Sequence, residues 1–329
     1  MAEPVASVLV AGASGFAGAL AARLVQRHPG LTLAAATSRS DAGRRLDELY
    51  PHHRVPVVLE ELDLDGAHGA ADAAIVAYPH GAAAPTVAAL RARGMKVVDL
   101  SADFRLRDLE VYERFYVPHG APELRGEAVY GLPERYREQL RETSLVAGPG
   151  CFPTAAVLAL APLAPWLTDV VIDAKTGVSG AGRAATAKTH FVTVDENVSP
   201  YGVGTHRHTP EIEQELGGEV PVTFVPHLLP LDQGELLSCY VRLSEGVDAR
   251  AVLAEAYAGE PFVQLVDRPP GVRDVRETNL CAIHVHEERR TGRTIVFAAI
   301  DNLWKGTSSQ AIQSLNLMLG LPETAGIAP

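Results

Sequence analysis

A strand, a glycine-rich turn and a helix follow one another at the start of the chain, and they constrain the fold more than any other feature. Residues 7–11 form a short apolar run typical of a buried strand, and residues 12–18 form a turn that contains three glycines. The helix that follows has its apolar residues on one face. Glycines in such a turn let the backbone approach a pyrophosphate, which binds at the helix N-terminus. The succession therefore predicts a dinucleotide-binding domain.

The end of the second predicted strand bears on which dinucleotide is bound. This strand covers residues 31–36, and Arg39 follows it between two serines. An NAD enzyme usually carries an acid here for the ribose 2′-hydroxyl, whereas arginine suits a 2′-phosphate, so we favour NADP(H). Asp41 is an acid that would instead suit NAD, but it lies further along the chain, and we interpret it as an exposed loop acid. The candidate cofactor-binding residues are Gly12, Ser14, Gly15, Phe16, Gly18, Ser38, Arg39, Ser40 and Asn302.

Strands and helices continue to alternate through the first half of the chain. Further strands are predicted at residues 73–77 and 96–100, with a helix between them. This alternation indicates an α/β fold with a Rossmann-type doubly wound parallel sheet. Ligands bind at the carboxyl ends of such strands. Arg105 is therefore a candidate for contacting an anionic substrate, although a structural pair with Asp103 is the alternative.

Cys151 lies where a helix is about to begin. A Gly-Pro-Gly segment at residues 148–150 ends an apolar strand, and Pro153 suits the first helical position of the helix that follows. The thiol is then close to unpaired N–H groups and to the positive end of a helix dipole, which together lower a thiol pKa toward a reactive thiolate. A small cysteine packed in a tight turn is the alternative. We interpret Cys151 as a candidate nucleophile.

Two histidines precede a later predicted helix. His206 and His208 are two residues apart in an extended segment, so both side chains can point to one side. We expect Thr209 to cap a helix that begins at Pro210. Histidine titrates near neutral pH and a thiol nucleophile needs a base, so the pair is a candidate for acid–base work. Exposed loop histidines are the alternative, and we expect no metal because a third ligand is missing nearby.

After the cysteine helix the strands become longer and their apolar and polar residues alternate. The predicted strands cover residues 169–176, 221–225, 235–243, 279–286 and 294–301. They indicate an α+β domain with a largely antiparallel sheet. Ser179 and Arg183 lie in a glycine loop that can bind an anion or form a plain turn. A terminal helix at residues 307–319 is expected to pack on the first domain, which places Asn302 near the cofactor.

Length, charge and cysteine content limit the class of protein. A chain of 329 residues is long enough for two domains. We assign residues 1–150 to the cofactor domain, with 306–329 packing back on it, and 151–305 to a catalytic and dimerisation domain. The net charge of -11 argues against a nucleic-acid partner, and no apolar run has the length of a membrane helix. Three widely spaced cysteines suit a reducing, cytoplasmic setting. An irregular excursion is expected at 107–143.

Seven short motifs are spread along the chain. They read GASGFAG at 12–18, DLSADFR at 99–105, YGLPE at 130–134, GCFPT at 150–154, SGAGR at 179–183, HRHTPEI at 206–212 and DN at 301–302. Together they resemble the N-acetyl-γ-glutamyl-phosphate reductase family over nearly the whole length. The resemblance implies an NADPH-dependent acyl-phosphate reductase of arginine biosynthesis, with a fold like that of glyceraldehyde-phosphate and aspartate-semialdehyde dehydrogenases. It also implies a thioester on Cys151, with His208 as acid/base and His206 as substrate contact, in a homodimer or homotetramer.

Two segments depart from the family pattern. An Arg-Gly pair is expected after a Pro-His-Leu segment, but the chain has Gln233 before Gly234. Near the end, Trp304 opens a segment where small residues are usual. Both departures concern the substrate more than the chemistry. A reductase of carrier-bound aminoadipyl phosphate in lysine biosynthesis is therefore kept as an alternative, and a non-catalytic NADP-binding sensor is kept as another.

Overall fold

The computed structural model describes residues 5–327, which divide into two compact units. Unit 1 contains the described parts of Met1–Pro149 and Thr307–Ala328, and unit 2 contains Gly150–Gly306. Within residues 5–327, no helix has both the length and the apolar character that crossing a bilayer requires.

The regular elements alternate along the chain. The strands are β1 (Ala6–Ala11), β2 (Leu31–Thr37), β3 (Ala73–Val76), β4 (Lys96–Asp99), β5 (Val129–Tyr130), β6 (Leu145–Ala147), β7 (Leu167–Gly177), β8 (Ser199–Pro200), β9 (Val222–Leu229), β10 (Glu235–Leu243), β11 (Val263–Leu265), β12 (Cys281–Glu288) and β13 (Arg293–Ile300). The α-helices are α1 (Phe16–Arg27), α2 (Leu46–Leu49), α3 (Ala84–Arg91), α4 (Leu109–Phe115), α5 (Pro133–Glu142), α6 (Cys151–Leu160), α7 (Phe191–Val194), α8 (Thr209–Glu215), α9 (Ala249–Ala256) and α10 (Ser309–Met318).

Unit 1 is organised by a six-stranded sheet with the order β2-β1-β3-β4-β6-β5. All its strand pairs are parallel. The central strands β1 and β3 are almost entirely buried, as expected where helices cover a parallel sheet. The predicted Rossmann-type doubly wound sheet is confirmed. The strand order reverses beside β1, where ligands of such sheets bind.

Helix α10 is part of unit 1, although it follows unit 2 in the chain. All its residues are buried, and it packs against α1 and α5. The Gln310 side-chain amide donates to the Gly131 carbonyl oxygen at 2.9 Å, and the Ser308 hydroxyl donates to the Ala17 carbonyl oxygen at 2.9 Å. The helix begins two residues later than predicted because Trp304–Ser308 forms a π-helical turn before it.

The segment 107–143 has more regular structure than expected. It contains α4, β5 and α5. The Asp108 carboxylate accepts the N–H groups of Glu110 and Val111 and so caps α4, while β5 pairs in parallel with β6. The expectation of an irregular excursion is wrong because caps and strand pairing stabilise elements that are too short to show a clear periodicity.

Unit 2 is organised by a seven-stranded sheet with the order β11-β12-β13-β10-β7-β9-β8. Four of its strand pairs are antiparallel, and the pairs β11–β12 and β7–β9 are parallel. The predicted largely antiparallel sheet is confirmed, and β10 has the predicted bounds. Helix α6 packs against β10 and β13, and every residue of α6 after Cys151 is buried. The first residue of α6 is therefore held at the edge of a packed core.

Gly12 and Gly94 offer a matched test of the glycine turn in unit 1. Both have positive φ, +88° and +80°, but a Cβ on Gly12 would lie 2.6 Å from the Ala77 carbonyl oxygen, and a Cβ on Gly94 would meet nothing within 4 Å. Alanine at Gly12 adds a steric clash to the backbone strain that both sites share. We expect Gly12→Ala to lower the free energy of unfolding by about 1–3 kcal/mol more than Gly94→Ala. Urea unfolding followed by circular dichroism measures this, and equal losses would contradict the account.

Candidate active site

Cys151 is the first residue of α6 and is half-buried. Gly150 occupies the N-cap in an extended conformation and provides no capping side chain. The first N–H groups of a helix have no intrahelical partner, and the helix dipole adds partial positive charge at that end. This environment favours a thiolate and can hydrogen-bond an oxyanion that develops on a bound acyl group.

Two contacts fix the backbone that carries the thiol. The Gly150 N–H donates to the Glu211 carboxylate at 2.9 Å, and Glu211 is only 1% exposed. Gly306 also packs closely against Cys151: a Cβ on Gly306 would lie 2.8 Å from the Cys151 Cβ. Any larger residue than glycine at position 306 would therefore displace Cys151.

His206 and His208 both pack against Phe152, the residue after the thiol. The ring centroids lie 5.8 Å and 5.9 Å from that of Phe152, and the two imidazoles lie 4.8 Å apart. The backbone N–H of His208 donates to the ring Nδ1 of His206 at 3.2 Å. Among residues 5–327, no group of three or more His, Cys, Asp or Glu side chains is arranged to hold a metal ion.

The predicted cap of the following helix is wrong. Thr209 is the first residue of α8, and His208 takes the N-cap position without a capping hydrogen bond from its side chain. His208 has helical backbone angles, φ -82° and ψ -15°. The helix therefore starts one residue earlier than Pro210, the predicted start, and the His208 imidazole is positioned by a helix terminus rather than by an extended segment.

Burial controls the charge of His206. Removal from solvent lowers the pKa of His206 to about 4, and the nearby positive charge of Arg207 acts in the same direction. The imidazole also packs against Tyr201, with ring centroids 5.4 Å apart. At neutral pH His206 is thus an uncharged hydrogen-bonding group.

A buried carboxyl that the sequence patterns did not indicate lies beside the thiol. Glu235 is the first residue of β10 and is 0% exposed. Burial raises the pKa of Glu235 to about 8, while hydrogen bonding from the Cys151 side chain opposes the shift and the charge of Asp301 adds to it. The pKa of Tyr201 is raised by burial first and then by the charges of Cys151 and Glu235. These groups therefore form one electrostatic cluster.

Tyr201, Glu211 and Glu235 were missed because each reaches the cysteine through tertiary contacts. One signal was available for Glu235, because an acid directly before two leucines at the start of a predicted strand is unusual. Glu211 lies within the motif at 206–212, but that motif does not indicate its contact with Gly150, and no pattern marks Tyr201.

The predicted anion-binding residues of unit 2 lie in different environments. The Asn302 side-chain amide donates to the Ser179 hydroxyl at 3.0 Å, and its oxygen accepts the Gly234 N–H at 2.7 Å. Both side chains are buried, so the hydrogen bonds of Asn302 hold the glycine loop that contains Ser179 in place. Arg183 is exposed on the same loop. The contact of Asn302 with a cofactor stays a prediction.

Arg105 lies in unit 1 and is 5% exposed. Its guanidinium donates to the carbonyl oxygens of Gly148 at 2.7 Å and Leu100 at 2.9 Å. These bonds hold together the segments that follow β6 and β4. Asp103 accepts the N–H groups of Gly81 and Ala84, near the start of α3, and the hydroxyl of Tyr112. The role of Arg105 toward a substrate stays a prediction.

The glycine turn of unit 1 has the form of a dinucleotide cradle. Helix α1 begins after Gly15, which provides no capping side chain, and a Cβ on Gly15 would meet only the Gly12 carbonyl oxygen, at 3.6 Å. Beside the turn, the hydroxyls of Ser14 and Ser38 are 2.8 Å apart and buried. Phe16, the first residue of the helix, packs edge-on against Tyr50. Uncapped N–H groups next to open space suit a pyrophosphate, so the residues present fit the group.

The end of β2 also suits a phosphate. The exposed guanidinium of Arg39 lies 4.8 Å from the ring centroid of Tyr78, which keeps it near the strand end. The interpretation of Asp41 as an exposed loop acid is wrong. Asp41 is 7% exposed, accepts from the Ser40 hydroxyl at 2.8 Å and pairs with Arg44 at 3.2 Å. The Asp41 carboxylate is therefore bound by Ser40 and Arg44 of its own loop.

His206 links the stability of unit 2 to pH. Its folded-state pKa of about 4 is below the ordinary value of 6.5, so the unfolded chain binds the proton first as the pH falls. The stability that neutral His206 contributes is present above about pH 6.5 and is lost between about 6.5 and 4. We expect the free energy of unfolding to fall less between about pH 6.5 and 4 in His206→Gln than in the unsubstituted protein.

Thermal unfolding at several pH values tests this prediction, with His286→Gln, a change at an exposed histidine, as the control. The same dependence of the free energy of unfolding on pH in His206→Gln and in the unsubstituted protein would contradict it.

Family models match both halves of the chain. Residues 7–143 match the model described as semialdehyde dehydrogenase, NAD binding domain. Residues 151–302 match the model described as semialdehyde dehydrogenase, dimerisation domain. The first match contains the glycine turn of unit 1, and the second begins at Cys151.

Curated relatives match over nearly the full length. N-acetyl-gamma-glutamyl-phosphate reductase of Moorella thermoacetica is 47% identical, covering 97% of this chain and 96% of the relative. The protein of the same name from Rubrobacter xylanophilus is also 47% identical, covering 98% of both chains.

A solved structure shows the same fold at low sequence identity. Aspartate semialdehyde dehydrogenase II from Vibrio cholerae has a TM-score of 0.74 and 18% identity, covering 96% of this chain and 98% of that chain. Its similarity extends across both units, in agreement with the predicted fold class. The full-length matches to curated relatives are far closer, and they show that the chain belongs to the N-acetyl-γ-glutamyl-phosphate reductase family.

Proposed function

We propose that the protein reduces N-acetyl-γ-glutamyl phosphate to N-acetylglutamate 5-semialdehyde, using NADPH and releasing phosphate, in arginine biosynthesis. The position of Cys151 at the uncapped start of α6 carries the chemical part of this proposal. The name shared by the near-full-length relatives supports the choice of substrate. The same relatives favour this substrate over carrier-bound aminoadipyl phosphate.

Cys151 is the proposed nucleophile. Its sulfur attacks the acyl carbon, so a C–S bond forms and the bond from that carbon to the phosphate oxygen breaks, while the thiol proton passes to a base. N–H groups at the start of α6 hydrogen-bond the oxyanion that forms during this attack. His208 takes part in proton transfer, and neutral His206 provides a hydrogen bond to the substrate.

The cofactor would be held by unit 1. Gly12, Ser14, Gly15, Phe16 and Gly18 line the pyrophosphate cradle, Ser38, Arg39 and Ser40 take the 2′-phosphate, and Asn302 is a further proposed contact. When bound, NADPH supplies the hydride that reduces the thioester. The sulfur of Cys151 then leaves the carbon as the aldehyde is released.

The substrate is an anion, and its proposed polar contacts are Arg105, Ser179 and Arg183. The match of residues 151–302 to a dimerisation domain supports assembly as a homodimer or homotetramer through unit 2. A cytoplasmic location stays a prediction from the cysteine content.

A non-catalytic NADP-binding sensor has no need of a reactive thiol. Cys239 and Cys281 are buried, and burial raises the pKa of Cys239 to about 12. In a reductase, a thiol reagent near neutral pH should therefore modify Cys151 much faster than the other two. Because Cys151 is also the most accessible of the three, a free thiol such as N-acetylcysteine is the reference, and a Cys151 rate no faster than this reference supports the sensor.

Replacement of Cys151 tests the proposed reaction. We expect Cys151→Ser to lower turnover by about 10⁴-fold or more, the scale on which removal of a nucleophile acts, and to leave NADPH binding unchanged. The measurement is NADP reduction by N-acetylglutamate 5-semialdehyde and phosphate, with aspartate semialdehyde and carrier-bound aminoadipate semialdehyde as comparison substrates.

Cys281→Ala, a change at a buried thiol of β12, is the control and should keep most of the activity. Substantial turnover by Cys151→Ser would rule out the thioester route. A preference for the carrier-bound substrate would overturn the proposed acyl group.

A further inference from the structure

We propose that Glu235 is a second proton-transfer residue of this site, which takes the Cys151 thiol proton when the C–S bond forms and returns it to sulfur when the aldehyde leaves. The inference rests on the proposed function and assigns a carboxyl to the proton that the nucleophile must lose and regain. His208 is then free to serve the leaving phosphate and the oxyanion.

The sheet of unit 2 places this carboxyl beside the sulfur. Strand β10 lies between β13 and β7, and Glu235 stands in register with Thr176 on one side and Ile300 on the other. Helix α6 packs against the same strand. As a result, the side chains of Cys151 and Thr176 lie near enough to act as hydrogen-bond partners of the Glu235 carboxyl.

The carboxyl has little else to hold its charge. Glu235 is 0% exposed, and neither of its oxygens has a hydrogen bond of good geometry, so the contacts with Cys151 and Thr176 are loose. The acid Asp301 and the phenol Tyr201 also interact with it electrostatically, and neither supplies a positive charge. A buried acid in such surroundings is costly for stability, which is expected at a functional group more than at a structural one.

The affinity of Glu235 for a proton is close to that of an ordinary thiol, and the helix N-terminus makes the proton of Cys151 easier to transfer. Burial raises the pKa of Glu235 to about 8, and an ordinary thiol has a pKa of about 8.5. A proton moves between two groups of similar pKa at little cost in free energy, which is the condition for efficient general base and acid catalysis.

Each step balances without a further reactant. When the thiol attacks, the S–H electron pair becomes the C–S bond, the proton moves to a Glu235 carboxylate oxygen, and phosphate leaves with the electrons of the C–O bond. When the thiohemiacetal oxyanion collapses, the C–S pair returns to sulfur. The thiolate then takes the proton from Glu235, and the resting pair is restored.

The substitution Glu235→Gln tests the role while it keeps size and polarity. We expect kcat to fall by about 10²–10⁴-fold, the usual contribution of a general acid–base group, with KM changed only a few-fold. Glu235→Asp, which keeps a carboxyl one methylene further back, should recover part of kcat. Glu245→Gln, the same change at an exposed site just after β10, is the matched control and should leave kcat unchanged.

The pH profile of Cys151 alkylation separates this role from a structural one. In the unsubstituted protein the thiol and the carboxyl share two proton losses, so the rate should show two inflections. In Glu235→Gln it should show one. A single inflection in the unsubstituted protein overturns the proposal, even if Glu235→Gln fails to fold. Full kcat in Glu235→Gln overturns it as well.

The Cys151→Ser variant separates a failure of the proposed function from a failure of the proposed role of Glu235. If Cys151→Ser keeps its activity, the proposed function itself fails. If Cys151→Ser is inactive while Glu235→Gln is fully active, only the role of Glu235 fails.

Discussion

The hydrogen bond from the Gly150 N–H to the buried Glu211 carboxylate is the contact on which the candidate site depends. This bond fixes Gly150, the residue before Cys151 at the start of α6, and the accepting carboxylate is only 1% exposed. Gly306 packs against the Cβ of Cys151, where only a residue without a Cβ fits. It therefore limits the positions that the Cys151 side chain can take. The thiol is consequently held at a helix N-terminus, where thiolate and oxyanion are both stabilised.

One physical cause, burial, acts in opposite directions on the two kinds of titratable group around the thiol. It raises the pKa of Glu235 to about 8 and lowers the pKa of His206 to about 4. Near pH 7 His206 is therefore uncharged, while Glu235 holds a proton far more tightly than an ordinary carboxyl and can exchange it with the thiol in the proposed reaction.

Features encoded by local patterns could be predicted from the sequence. The glycine turn before α1 and the bounds of β10 follow from periodicity and from glycine positions, whereas α6 begins two residues before Pro153, the predicted first helical residue. Features that arise from tertiary contacts could not. Glu235 meets Cys151 only because β10 and α6 pack together, and no local pattern indicates that contact.

Direct observation of the acyl-enzyme is the most direct test of the thioester at Cys151. The protein is mixed with N-acetyl-γ-glutamyl phosphate in the absence of NADPH, so that hydride transfer cannot remove the intermediate, and is quenched in acid for intact-mass and peptide analysis. The account predicts one N-acetylglutamyl group per chain, on the peptide that contains Cys151, and its release by hydroxylamine. Absence of the adduct, or an adduct on Cys239 or Cys281 instead, would contradict it.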